Sequence, residues 1–355
     1  MIDWISMVVP CSHVEPIQDG GFQRVDSTGA VEWAVDRRLS IQGSYSSSVT
    51  IRSYRGNTSH IEVSGNLVKF FQGHNLWGTD DLHGLIVEFL SWLATTPLVG
   101  DQPLIAPTPE DVEAWRKGMI QLTRVDCTES FHLRSRAEVL AWLRSAEQTA
   151  HLSHRGRGQL VKGSTLYFGK NSRRWSLKLY SKGQEIRAKG HGQDAVLALP
   201  HAVEWADKTL RAELTLRGME LQRLNLAYVG QWSDKDSPGE GVTLELLRSR
   251  LEGMTMTTTA NLSADVFDDL RPALRMAYLS WQAGADLRNT LSRPTFYRYR
   301  KELLAHGIDI ATLVPKEVSN VVPLFKTLEA VPAAIPDWAV GTPLYYEPRR
   351  LRVVG

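Results

Sequence analysis

Arg174, Ser176, Lys178, Tyr180 and Lys182 fall at every second position, with Trp175, Leu177 and Leu179 between them. In an extended strand alternate side chains share a face, so this spacing predicts a strand that is charged in front and apolar behind. Arg211, Glu213, Thr215 and Arg217 alternate in the same way with Leu210, Ala212, Leu214 and Leu216, and Arg124 and Asp126 with Val125 and Cys127. Side by side in one antiparallel sheet, the three front faces would pool a tyrosine, carboxylates and several cations.

That inventory suits phosphoryl transfer to a tyrosine. A phenol titrates near pH ~10 and needs help to attack at neutral pH. Lys182, two residues along on the same predicted face, would favour the phenolate of Tyr180. Asp126, Glu185 and Glu213 offer hard oxygen ligands to a divalent metal that could polarise a scissile phosphate. Arg124, Arg173, Arg174, Lys178 and Arg211 could neutralise neighbouring phosphates. A half-wet sheet laced with ordinary salt bridges would show the same periodicity, and a strand tyrosine is more often structural. Tyr167, between Leu166 and Phe168, is a second candidate nucleophile, although its neighbours suit a core or stacking role. A different metal arrangement that also serves phosphoryl transfer, two histidines flanking an apolar residue, is not found in the sequence: His151 and His154 are three apart, which puts them on opposite faces of a strand, and His191 has no such partner.

Charge distribution points the same way. The whole chain of 355 residues carries a formal net charge of only +2. Between His151 and Gly192, however, ten Lys and Arg face a single acid, Glu185. Tyr167, Phe168, Trp175 and Tyr180 are interleaved with them. A basic segment carrying aromatics is the footprint of a phosphate-binding, base-stacking surface, though a solvated cationic face would also produce the charge run.

The elements that must position these groups can be read from periodicity and punctuation. Met1–Val9, Leu39–Tyr45, Val49–Tyr54 and Ile61–Phe71 read as strands separated by glycine turns. Leu82–Ala94 reads as a helix capped by Asp80 or Asp81, and Ser135–His151 as a second with Val139, Trp142 and Leu143 in its stripe. Residues 95–110 read as a proline-rich loop. Met119–Val125, the paired strands of the basic segment and Thr209–Arg217 supply the sheet, with a helix near Ala195–Ala206. Beyond Asp236-Ser237-Pro238-Gly239 the texture turns helical, over Val242–Met254 and Ala264–Ala285, with a turn at Gly284. A last helix follows Ser292-Arg293-Pro294 and stops near Gly307. The prediction is an α+β fold: a largely antiparallel sheet flanked by helices, then a helical region. Composition, 43% hydrophobic and 23% charged, suits a globular protein with a sizeable core. No apolar run reaches membrane-spanning length, and the start of the chain does not resemble a signal peptide. Cys11 and Cys127, far apart and outside any metal-binding spacing, suit a reducing compartment.

Several motifs occurring in order resemble the replication initiation proteins of filamentous bacteriophages, the gene II product family. Phe71-Gln-Gly-His-Asn75-Leu-Trp-Gly-Thr-Asp80-Asp-Leu resembles the family's QGHNxxGTxDL motif, and Thr123-Arg-Val-Asp126 its arginine-x-aspartate strand. Leu179-Tyr180-Ser-Lys182-Gly-Gln-Glu185 is similar to the segment carrying the nicking tyrosine. Leu210-Arg211-Ala-Glu213, with Glu220-Leu221, resembles the strand that follows, and Asn320–Leu324 and Pro336-Asp-Trp338 are similar to tail motifs. The resemblance implies rolling-circle replication in the cytoplasm of a bacterial host: a nick at the origin of double-stranded replicative-form DNA, a 5′-phosphotyrosine link, a free 3′-OH primer, and later rejoining of the displaced single strand. It also implies a divalent ion, Mg²⁺ with Mn²⁺ able to substitute, a host helicase and replication machinery as partners, and room for a homo-oligomer on the origin. The metal ligands stay open, since Glu204 and Asp207 lie near Glu185 in sequence. So does the role of His74 and Asn75, for which a structural turn is the simpler reading.

The C-terminal helices add a DNA-reading expectation. Ala283 to Arg300 reads helix, turn, capped helix, and the last helix presents Arg293, Thr295, Tyr297, Arg298 and Lys301. Such a helix resembles the recognition helix of a helix-turn-helix, whose first turns meet base edges in the major groove; a packing helix with a basic outer face is the alternative. The expected organisation is therefore a nickase domain over 1–235, a helix-turn-helix-like region over 240–315 and an extended tail over 316–355. The rival to a nickase is a non-catalytic origin-binding or repressor protein.

Overall fold

Alternation of apolar and polar residues builds the sheet that organises the molecule. The computed structural model describes residues 1–43, 47–99, 101–188, 193–232, 242–252, 254–256, 264–283, 285–306, 308–311, 327–328 and 331–347. Among the described residues nine strands form one sheet: β1 (Ile2–Pro10), β2 (Leu39–Gln42), β3 (Ser48–Ser53), β4 (His60–Gly65), β5 (Gln121–His132), β6 (Gln159–Val161), β7 (Thr165–Phe168), β8 (Trp175–Ser181) and β9 (Thr209–Arg217). Their spatial order is β6-β7-β8-β9-β5-β1-β4-β3-β2, and every pairing is antiparallel. The α+β class expected from the sequence is the one found.

Helices close the apolar face. α1 (Leu67–Gln72), α2 (Leu82–Thr95), α3 (Pro109–Arg116) and α4 (Arg136–Thr149) lie between the strands in sequence. Leu85, Ile86, Phe89 and Leu90 from α2, and Val139, Trp142 and Leu143 from α4, share one core with Val125, Leu177, Leu179, Ala212 and Leu214 of the sheet. Fully burying a large apolar side chain of this kind contributes roughly 1.5–3 kcal/mol. The cap expected at Asp81 forms, with its Oδ1 accepting from the Gly84 amide at 2.8 Å, and Ser135 Oγ caps α4 by accepting from the Glu138 amide at 3.3 Å.

Several expected ranges are corrected by the structure. The run Ile61–Phe71 is not one strand; it ends at Gly65, and Asn66 caps α1 by accepting from the Lys69 amide at 2.7 Å. Residues 95–110 are not plain loop, because Pro97–Val99 and Gln102–Pro103 pair as a small hairpin, and Thr108 and Asp111 form a capping box that starts α3. The helix near Ala195–Ala206 is two, Asp194–Leu197 and α6 (Pro200–Asp207), since proline at 200 starts a new first turn. Ala264–Ala285 is likewise divided into Ala264–Asp269 and Pro272–Gln282 ahead of Pro272.

Short α5 (Lys182–Glu185) continues directly from β8, and α7 (Gly218–Arg223) from β9. α8 (Val242–Leu251) packs against β5. Then α9 (Pro272–Gln282), α10 (Leu287–Thr290) and α11 (Arg293–Leu304) build a core of their own from Leu274, Tyr278, Trp281, Phe296, Tyr299 and Leu303. The linker at 236–239, the turns at Gly284 and Gly307, Lys189, His191 and the Asn320–Leu324 motif lie outside the described residues. In the tail, residues 331–347 lie against the end of α1, the 73–78 loop, β5 and α6. The Ala333 amide donates to the Ser130 carbonyl at 2.7 Å, Trp77 Nε1 to the Leu344 carbonyl at 2.8 Å, and the Tyr346 amide to Gln72 Oε1 at 2.9 Å.

Candidate functional site

The strand register brings the predicted residues onto one face. Lys178 stands opposite Glu213, Tyr180 opposite Arg211, Thr215 opposite Asp126, and Arg217 opposite Arg124. Tyr167 joins the same row through Lys178, and Trp4 of β1 continues it past Asp126. Period-two alternation alone therefore placed the tyrosine, two carboxylates and their cations correctly relative to one another.

Tyr180 is nearly enclosed, 2% exposed. Burial, and then the negative charge of Glu213, hold its phenol well above the usual range. The cation beside it is Lys178, whose Nζ lies 4.0 Å from the ring centroid and 2.9 Å from Glu213 Oε2. Burial works against the Lys178 ammonium, but Glu213 outweighs it and keeps it charged. Lys182, expected on the strand face beside Tyr180, instead opens α5, because Ser181 ends the strand and caps that helix. Its ammonium is completely buried and bonds Glu185 Oε2 and Asn75 Oδ1, each at 2.7 Å. Burial pulls it down to about 8, against the pull of Glu185.

Asn75 is the joint of this site. Its Oδ1 accepts from Lys182, and its Nδ2 donates to Asp3 Oδ1 at 2.9 Å. Asp3 also accepts from Asn66 Nδ2 at 2.6 Å. Gly73, at φ 81°, ends α1 in the left-handed region and lets the chain turn into this loop. Arg211 completes the clamp from below: it is fully buried and donates to the carbonyls of Asn75 and Leu76 and to Ser130 Oγ. The arginine expected to meet a phosphate is thus committed to the 73–78 loop. His74 accepts at Nδ1 from Gln72 Nε2 at 3.2 Å and the Leu76 amide at 3.3 Å. Burial, with Lys182 and Arg211 nearby, lowers it to about 4, so the ring is neutral.

Asp3 is marked in the sequence by one signal alone: it is an acid inside the apolar run Ile2–Val9. Asn66 was legible only as a turn residue. Their partnership joins positions dozens of residues apart, which no local pattern encodes.

The three carboxylates expected at a metal each already face a cation. Arg124 grips Asp126 through Nε at 2.9 Å and Nη2 at 2.5 Å, Lys178 holds Glu213, and Lys182 holds Glu185. Among the described residues no three His, Cys, Asp or Glu side chains are grouped to hold an ion. Even so, Asp126 and Glu213 suit a hard cation. Burial raises the Asp126 carboxyl to about 6, the Arg124 hydrogen bonds oppose that, and the nearby charges of Glu213 and Asp3 add to it. Magnesium needs only one or two carboxylates when water and phosphate supply the rest. Glu185 is set apart at the α5 end, where Gln193 Nε2 also reaches it at 3.3 Å.

The remaining cations are distributed differently. Arg173 and Arg174 are exposed at the start of β8, and Arg124 lies 5.5 Å from the Trp4 ring. Lys170 covers the half-buried Tyr167 ring at 5.0 Å. On α11, Phe296, Tyr299 and Leu303 face inward, while Arg293, Tyr297, Arg298 and Lys301 are exposed. Ser292 stands at the cap position, but its hydroxyl bonds Thr295 Oγ1 at 2.9 Å rather than a helix amide.

Residues 1–235 match the family model for the N-terminal part of the gene II replication-associated protein, and residues 267–347 the model for its C-terminal part. A basic, carboxylate-bearing sheet followed by a small helical unit is thus the build of a phage replication-associated protein. The chain belongs to the gene II replication-associated protein family of filamentous phages. The replication-associated protein of Enterobacteria phage I2-2 is 39% identical over 348 residues, spanning 95% of this chain and 96% of that one. Among solved structures, the rolling circle replication initiator protein from Geobacillus stearothermophilus superposes with a TM-score of 0.32 at 13% identity, over 75% of this chain and 89% of that one, a likeness too loose to bear on mechanism.

Proposed function

We propose that this chain nicks one strand of an origin through Tyr180 and so initiates rolling-circle replication. The observation that carries the reading is the single sheet face on which Tyr180, Lys178, Glu213, Asp126 and Arg124 meet. Tyr180 Oη attacks the scissile phosphorus, the bond to the 3′ oxygen breaks, and that oxygen leaves as the 3′-OH primer while the 5′ phosphate stays on the tyrosine. Attack of a 3′-OH on the phosphotyrosine reverses the step and rejoins the strand.

The residues divide the work. Lys178 supplies positive charge against the ring as the phenol gives up its proton. Glu213 and Asp126 would hold a magnesium ion, which when bound polarises the phosphate and cancels the negative field that keeps the phenol protonated. Arg173 and Arg174 take flanking phosphates. Lys182, Asn75 and Asp3 act at one remove, fixing the loop and helix that frame the tyrosine. On α11, Arg293, Tyr297, Arg298 and Lys301 reach into a major groove at the origin, beside a host helicase that unwinds the nicked duplex.

Supercoiled DNA bearing the cognate origin, incubated with protein and Mg²⁺ and run on denaturing gels without protease, should yield relaxed circles with protein on the 5′ end. Tyr180→Phe should abolish the adduct and leave binding intact. Normal nicking by that variant would move the nucleophile to Tyr167. Cleavage without any adduct would mean a water-using nuclease, and binding without cleavage a repressor.

A further inference from the structure

At the far end of β8 from Tyr180 lies a cavity of about 470 Å³, of whose lining the nicking reading uses Arg174 alone. Arg155, Arg174, Arg223 and Arg250 line it, with Trp175 and a single acid, Glu220. Glu220 is almost fully buried and shared among three of the arginines: Arg223 at 2.6 Å, Arg250 at 2.8 Å and Arg174 at 3.7 Å. Arg155 and Arg250 lie over the Trp175 ring, 4.2 Å and 5.3 Å from its centroid. Gly169, at φ 65°, leaves the room for this, since a Cβ there would collide with Cδ of Arg155.

Among the described residues, four guanidinium groups against one carboxylate leave a positive surplus in a half-open cleft, where Arg174 and Arg223 are about half exposed. The buried Nε–H groups of Arg155 and Arg250 also have no hydrogen-bond partner among the described residues, and an unmatched buried donor is costly to keep. An arriving anion answers both deficits at once. Guanidinium forks match the paired oxygens of a phosphate.

We infer that this cavity is a second anion site, which takes a backbone phosphodiester of DNA flanking the segment at Tyr180. Trp175 and Tyr180 are five residues apart on β8, or ~17 Å at the strand rise. That is about five nucleotide rises of B-DNA. Trp175 faces the opposite side of the sheet from Tyr180, so the phosphate held here is not the scissile one, and the strand passes the sheet's end to reach it. The inference rests on the proposed function only in naming DNA as the source of the phosphate.

The test uses the full chain carrying Arg155→Gln and Arg223→Gln, which remove two charges and leave Arg174 and Arg250 on Glu220. Binding of a short and a long single-stranded oligonucleotide is followed against salt. For the long one, the slope of log affinity against log salt should fall by about 0.7 for each phosphate no longer neutralised, while the short one and its Tyr180 adduct stay unchanged. The Arg155→Lys and Arg223→Lys pair should restore most of the slope, which a mere folding defect would not allow. An unchanged slope overturns the site. Titration with inorganic phosphate and with free dAMP separates the sources: tight binding of either one, abolished in the Gln variant and not competing with the long strand, makes this a free-ligand site and also overturns the assignment. A chain that binds the long strand through these arginines but forms no adduct would keep the site and lose the nickase.

Discussion

Asn75 carries two charged partners on one amide, accepting from Lys182 and donating to Asp3. Hydrogen bonds to charged groups contribute about 1.5–3 kcal/mol each. Asn75→Ala should therefore lower the unfolding free energy by about 3 kcal/mol, measured by denaturant titration. In a double-mutant cycle with Lys182→Met the losses should be strongly non-additive; simple additivity would mean that the amide and the ammonium do not communicate. At this scale the sequence was only half legible. The alternation around Tyr180 is a local property and placed Lys178, Glu213, Arg124 and Asp126 correctly. Lys182 escaped it because Ser181 accepts from the Gln184 amide and turns the strand into a helix one residue early. Arg211 looked like any other front-face cation, since nothing near it in sequence announces that the 73–78 loop will cover it.

Among the elements, α11 is where the reading of duplex DNA can be separated from cutting. Its inward side chains Phe296, Tyr299 and Leu303 hold it to α9 and α10, so its outward residues can be changed without cost to the core. Arg298→Ala together with Lys301→Ala should weaken origin binding, by about 1–3 kcal/mol if a base is read there. Adduct formation on a short single-stranded substrate should be unaffected. Equal weakening on origin and unrelated duplex would assign these two side chains to phosphates rather than bases. Element types were largely readable because helix and strand periods differ. Their ends were less so: prolines at 200 and 272 divide what reads as continuous helix, and Gly65-Asn66 changes a strand into a helix within one turn.

For the whole molecule, the sheet joins distant parts of the chain in an order that no composition reveals, with β1 inserted between β4 and β5. The basic segment predicted from charge contains three edge-side strands, β6 to β8, but most of its described Lys and Arg lie in the turns around them and at α5. Tail residues 331–347 brace the segments around the 73–78 loop. The ring of Tyr346 stacks on Phe71 at 4.3 Å, Trp338 meets Trp77 at 5.3 Å, and hydrogen bonds to Gln72, Trp77 and Ser130 tie the same region. A chain stopped before residue 331 should keep its sheet by circular dichroism but show faster amide exchange over 73–78 and weaker nicking. Undiminished protection of that loop would show the tail to be dispensable.

This packing also sets a timetable. A polypeptide leaves the ribosome from its first residue onward, and the stretch that braces Gln72 and Trp77 emerges hundreds of residues after them. The loop that frames Tyr180 thus waits, unbraced, through most of synthesis. A translation product interrupted between the end of β9 and the tail would carry Tyr180, Lys178, Glu213 and Asp126 without that last support, and on the proposed function such fragments should nick poorly for as long as they persist.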